Sequence, residues 1–204
     1  MIDTDRLLLR PHHIDDFEQY AKLWAQASPA NKDAPNAKPL NEEEAWARLL
    51  RQIGHWSAYN FGPFVVLDSG TKLIVGEAGF AFCKRGLGPS FDGAPEAMWR
   101  IDAHHQGKGL ATEVMLAAMD WLDKNLEFPR TVCMIDWLNA ASKHVAEKLE
   151  FREFASTTYR DNPVLLLERT GHHPIAENRS DKDVVRCELQ RLPSDLKSTP
   201  LINT

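Results

Sequence analysis

His104-His105-Gln106-Gly107-Lys108-Gly109-Leu110-Ala111-Thr112 is the stretch that decides how this chain folds. It follows a short apolar run with the look of a strand, Ala97-Met98-Trp99-Arg100-Ile101, and it opens a long amphipathic pattern. Two glycines separated by one residue let the main chain come very close to a ligand. A helix that begins there aims unpaired amide N–H groups at that ligand, with positive dipole density behind them. Strand, glycine turn and helix start together make an anion cradle suited to a phosphate or diphosphate.

Two common cradles fail the comparison. A Walker loop needs Gly, four residues, then Gly-Lys-Ser/Thr. Here Lys108 lies between the glycines and Gly109 is followed by Leu110, so no hydroxyl stands where magnesium would bind. A dinucleotide fingerprint needs a third glycine three residues after the second, where helix and strand pack closely. That place holds Thr112, and no repeated strand–helix alternation precedes it.

The stretch resembles instead the diphosphate loop of the GCN5-related N-acetyltransferases (GNAT), whose pattern is Gln/Arg-x-x-Gly-x-Gly/Ala at a strand-to-helix junction. His104 stands where that pattern has its first polar residue, a tolerable departure because the loop works through backbone amides. Three further segments carry the likeness. Asn139-Ala140-Ala141-Ser142-Lys143-His144-Val145-Ala146-Glu147-Lys148-Leu149-Glu150-Phe151 resembles the family's "Asn … Ser … Glu-Lys-Leu-Gly-Phe" helix. Thr4 to Pro11 resembles the first strand, and Asn162 to Arg169 the last, of the branch that contains the ribosomal-protein alanine acetyltransferases. The resemblance implies an α+β (mixed α/β) fold. Its central, mostly antiparallel sheet would have about six to seven strands and about four flanking helices, and would be splayed where acetyl-coenzyme A binds.

Composition sets outer bounds. The chain has 204 residues, 43% apolar and 26% charged, which fits one globular domain with a tail. No apolar run approaches a membrane span, and Met1-Ile2-Asp3-Thr4-Asp5 lacks the parts of a signal peptide. Cys83, Cys133 and Cys187 are scattered, which fits a reduced, cytoplasmic setting and no disulfide framework. A net charge of −5 argues against nonspecific nucleic-acid binding and mildly favours a cationic acceptor.

The domain is expected over residues 1–170. Strands are expected at residues 5–10, 61–67, 72–82, 97–101, 130–137, 151–159 and 163–169. Asp15-Asp16 is expected to cap a helix reaching about Ala27, and Asn41 a second helix that starts with Glu42-Glu43-Glu44. Gly76 and Gly79, inside a strand, predict a bulge or a close backbone approach. Residues 84–95 read as a loop, and residues 110–126 as a long helix with a wide apolar stripe. Residues 171–204 read as an extension, partly disordered or packed on the domain, because they hold few large apolar residues.

The resemblance also assigns a site. Backbone groups of Trp99, Arg100 and Ile101 would pair with the pantetheine arm. The amides of Gln106, Gly107, Lys108, Gly109, Leu110 and Ala111 would take the diphosphate. Asn139 would contact the arm, cap its helix, or both. The tyrosine that many relatives use against the leaving sulfur is absent, its place being Ala146. Ser142 matches the serine of the ribosomal-protein branch; it would hydrogen-bond the sulfur or serve as a second cap. For the proton of the amine, Glu96 ranks ahead of Glu77 and Asp136, each of which also reads as a carboxylate on a strand end. A lysine acceptor would cost roughly 4.6 kcal/mol to deprotonate at neutral pH and an α-amine only about 1.

The histidine pairs His12-His13, His104-His105 and His172-His173 lack metal-ligand spacing, so no metal is expected. Glu150 stands where relatives carry glycine; if the chain turns there with positive φ, the cost is roughly 1–2 kcal/mol. The function expected is transfer of acetyl from acetyl-coenzyme A to an amine, on a protein N-terminus or a small molecule, by a monomer or homodimer. The competing reading is a non-catalytic acyl-coenzyme A sensor with the same fold.

Overall fold

The computed structural model describes residues 1–26 and 39–171. Of the expected 171–204 extension, all but Gly171 lies outside the described residues.

Eight strands form one sheet: β1 (Ile2–Asp3), β2 (Leu7–Arg10), β3 (Pro63–Asp68), β4 (Ile74–Ala81), β5 (Glu96–Ile101), β6 (Arg130–Asp136), β7 (Arg152–Tyr159) and β8 (Asn162–Thr170). Their order is β1-β2-β3-β4-β5-β6-β8-β7, and every neighbouring pair is antiparallel except β5 with β6. The strand beyond the expected number is β1, a two-residue piece at the edge, too short for any periodicity to reveal. The helices are α1 (Phe17–Trp24), α2 (Glu42–Tyr59), the single turn α3 (Pro89–Asp92), α4 (Leu110–Asn125) and α5 (Ala140–Lys148). Among the described residues no helix is long and apolar enough to cross a membrane.

Local chemistry accounts for most boundaries. Asn41 caps α2 in a reciprocal box with Glu44: each backbone N–H donates to the other's side-chain oxygen at 2.9 Å. The first helix starts differently from expectation. A short 3-10 turn, Ile14–Asp16, precedes α1, with His13 as its cap. Asp16 accepts from the His13 N–H at 2.7 Å and pairs with Arg10 at 2.6 Å rather than capping α1. The expected 84–95 loop contains α3, because the Asp92 carboxylate gathers the N–H groups of Arg85 and Gly88 at 2.7 and 3.2 Å.

Both glycines of β4 sit where backbones crowd. The β3–β4 register slips between Val66 and Leu67. A methyl on Gly76 would lie 2.5 Å from the Arg100 carbonyl oxygen, and one on Gly79 would lie 3.0 Å from that of Gly62. The core runs beneath the whole sheet: Leu7, Phe64, Ala97, Cys133 and Leu167 meet Val114, Met115 and Leu122 of α4. The α4 stripe is therefore core, as its spacing predicts.

Candidate active site

The glycine loop is built as a cradle. Gly107 and Gly109 adopt φ of 75° and 78°, the left-handed region that side chains disfavour. A methyl on Gly107 would meet nothing within 4 Å, so this position opens to solvent. Among the described residues no acceptor engages the main-chain N–H groups of Gln106 through Ala111. These donors include the free first turn of α4. Arg6 braces the loop from behind: its Nη1 donates to the Lys108 carbonyl at 3.0 Å and its Nε to Glu113 at 2.7 Å. The Thr4 hydroxyl adds a 2.6 Å bond to Glu113.

Next to the loop the sheet parts. β5 and β6 share one register pair, Glu96 with Val132, and diverge beyond it. The edge of β5 that carries Met98, Trp99 and Arg100 has no strand beside it there. The Ile101 carbonyl is engaged by the Gln106 side-chain amide at 2.9 Å, which ties the strand's end to the cradle.

A cavity of about 610 Å³ opens from this gap. Its walls are α2, β5, the end of β6 with the start of α5, and the β7–β8 turn. Trp99, Arg100, Asn139, Ser142, Glu96 and Asp136 all line it, whereas the 106–111 loop does not. Asn139 accepts from the Ser142 backbone N–H at 2.9 Å and so caps α5. The Ser142 hydroxyl makes no bond among the described residues. Ala146 is buried in the core cluster.

The carboxylates differ sharply. Both oxygens of Glu96, which is 3% exposed, are held by Arg85, at 2.5 and 2.6 Å. Neither oxygen of Glu96 is left outside the Arg85 fork. Glu77, 1% exposed, takes Arg48 at 2.5 Å, Gln52 at 2.9 Å and the Tyr20 hydroxyl. Burial alone would raise its pKa, but the Arg48 charge and His12, 3.6 Å away, hold it well below the ordinary carboxylate range. Asp136 accepts one bond, from the Leu138 N–H at 2.8 Å, and its second oxygen is uncommitted among the described residues.

Sequence reading passed over Arg85, Tyr159 and Arg48, which help to form the cavity. Arg85 Nη1 reaches the Tyr159 hydroxyl at 3.4 Å. Arg48 and Arg100 stack on Trp24, at 3.8 and 4.5 Å from the ring centre. These residues lie in stretches without a motif: Arg48 within α2, Arg85 in the loop before α3 and Tyr159 at the end of β7. The histidine pairs play local parts: His13 caps a turn, and His105 meets Asp102 at 3.0 Å. His172-His173 lies outside the described residues.

A family model described as "Acetyltransferase (GNAT) domain" matches residues 6–152. The chain belongs to the GNAT acetyltransferase family. A GnaT-family acetyltransferase from Bordetella pertussis is 37% identical, with TM-score 0.74, covering 83% of this chain and 98% of its own. An acetyltransferase from Agrobacterium tumefaciens is 25% identical, with TM-score 0.67 and coverage of 82% and 92%. The ribosomal-protein-S5-alanine acetyltransferase from Vibrio fischeri shares the fold at 20% identity, with TM-score 0.63 and coverage of 83% and 96%. This GNAT chain is an acetyl-coenzyme A-dependent acyltransferase.

Proposed function

We propose that the chain transfers acetyl directly to a primary amine, holding the donor's diphosphate on the Gln106–Ala111 amides and its arm between β5 and β6. One observation carries the reading: the strands part after a single pair, beside a loop whose amide donors have no protein acceptor. Bound acetyl-coenzyme A supplies a thioester: the amine nitrogen forms a C–N bond, the C–S bond breaks, the amine gives up a proton, and the thiolate gains one.

The chain's own groups divide this work. Trp99 and the Ile101 N–H offer main-chain groups along the slot, Arg100 turns its own toward Glu77 of β4, and Lys108 adds charge near the diphosphate. Asn139 fixes the start of α5, which presents the Ser142 hydroxyl to the cavity as a hydrogen-bond donor for the sulfur. Glu96 positions Arg85 and does not take the proton. Asp136, with one oxygen free, accepts it directly or through water. Burial, with Glu96 nearby, pushes the Cys83 thiol up to about 12, so it stays protonated and supplies no acyl-carrying thiolate. Cys83 and Cys133 are free thiols, which fits a reducing, cytoplasmic setting.

Free-thiol release from acetyl-coenzyme A against a panel of amines and peptides tests the reading. Saturating donor at about 100 times its Kd should add roughly 2.7 kcal/mol of stability. Stabilisation without turnover on any acceptor would favour the sensor reading; no stabilisation at all would defeat the donor site.

A further inference from the structure

The cavity carries a small net positive charge although the chain that contains it is net negative. Arg48, Arg51, Arg85, Arg100 and Arg160 line it, against Glu44, Glu96 and Asp136. Arg85 is neutralised by Glu96, and Arg48 by Glu77 beneath the floor. Glu44 is turned to the Asn41 N–H at the start of α2. Arg51, Arg100 and Arg160 have no carboxylate partner among the described residues. Arg100 spends its Nη2 on the main-chain oxygens of Gln26 and Leu23, at 2.5 and 3.3 Å. Arg51 and Arg160 are exposed, on opposite walls: one on α2, the other in the β7–β8 turn. The turn holds Arg160 at φ 50°, and its guanidinium lies 5.4 Å from the Tyr159 ring centre.

This excess does not serve the donor's diphosphate, because no residue of the 106–111 loop borders the cavity. Arg51 on α2 and Arg160 in the β7–β8 turn stand on walls that the proposed donor slot does not use. A local cationic excess draws anions, and a guanidinium fork fits a carboxylate with two parallel bonds. We infer that the acceptor is an amine whose own molecule carries a carboxylate, seated by Arg51 and Arg160 while its amine faces the gap between β5 and β6. This assignment rests on the proposed acetyl transfer to an amine. Local charge here overrides the whole-chain net of −5, which by itself favours a cationic acceptor.

Matched acceptors test it: free amino acids against their amides, peptides with acidic second and third residues against neutral ones, and spermidine as a cationic control. Carboxylate acceptors should exceed their amides in kcat/KM by about tenfold or more. The free acids and the acidic peptides are separate arms, and the faster arm names the source. Arg51→Ala with Arg160→Ala should raise KM for carboxylate acceptors about tenfold and leave KM for acetyl-coenzyme A unchanged. Arg160→Glu should narrow the gap between carboxylate acceptors and spermidine. Both arginines are exposed and have no carboxylate partner among the described residues, so unfolding curves should not move. Faster turnover of amides or spermidine, or an acid-to-amide ratio unmoved by the double variant, overturns the inference and leaves acetyl transfer standing. Donor stabilisation with no carboxylate acceptor turned over overturns it as well. No stabilisation by donor and no thiol release overturns the transfer reading itself.

Discussion

Arg85 closes on Glu96 like a fork on a fork, Nε to Oε2 at 2.5 Å and Nη2 to Oε1 at 2.6 Å, at the point where β5 and β6 make their one pair. Removing one member of a buried pair leaves the other uncompensated and costs about 3–5 kcal/mol. Glu96→Gln should fall near the lower end, since the Arg85 side chain is 24% exposed. Urea unfolding measures that loss. The acid limb of the pH–rate profile should survive the change; its disappearance would return Glu96 to the role of proton acceptor.

Glu77 gives the fold a defined acid sensitivity. Its pKa is depressed in the folded state, despite burial, by Arg48 and His12. Its stabilising contribution is therefore complete above the unfolded value of about 4.3 and is withdrawn as pH falls through the folded value. Stability of the wild type should drop steeply from pH about 4.3 downward, while Glu77→Gln should be weaker at neutral pH and flatter across that window. Parallel slopes in chemical denaturation at several pH values would refute this.

Glu150 turns the chain after α5 with φ 64°, and its side chain is exposed. The left-handed conformation costs a non-glycine residue about 1–2 kcal/mol, of which glycine's greater unfolded freedom returns about 0.5–1. Glu150→Gly should stabilise by about 0.5–1 kcal/mol, a rise of about 2 °C in Tm. A lower Tm would mean the side chain makes a contribution in solution that its exposure hides.

Gly107→Ala separates conformation from contact. The added methyl would point into open space, so stability falls by about 0.5–1 kcal/mol, the left-handed penalty of about 1–2 less the 0.5–1 that a stiffer unfolded chain returns. In the proposed complex that space holds the diphosphate, and Kd for acetyl-coenzyme A should rise about tenfold or more. Calorimetric titration distinguishes the two effects, and an unchanged Kd would place the diphosphate elsewhere.

Arg6→Ala should weaken donor binding from behind the loop. Arg6 touches the Lys108 carbonyl and Glu113, and none of the loop's outward-facing amides. The expected signature is a several-fold rise in KM for acetyl-coenzyme A with kcat for a saturating donor retained. Equal losses in kcat and kcat/KM would instead put Arg6 in the reaction.

Long, periodic or capped elements were legible from residues alone. The α4 stripe, the Asn41 cap and the crowded glycines of β4 each follow from chemistry local to a few residues. What stayed hidden depends on residues far apart in sequence. Arg85 meets Glu96 only after a loop folds back, and Glu77 finds Tyr20, Arg48 and Gln52 from two separate helices. A carboxylate in a strand looks the same in sequence whether it is free or clamped. Cavity charge was hidden for the same reason, because net charge counts residues without regard to where they face.

A sheet whose middle is joined by one rung is mechanically two panels leaning on a common floor, the apolar face of α4 and its neighbours. That seam has one register pair, against two or more at every other junction of the sheet. Whatever wedges into it becomes a keystone, so the lifetime of this protein in a cell should track how well its metabolite pool keeps the wedge in place.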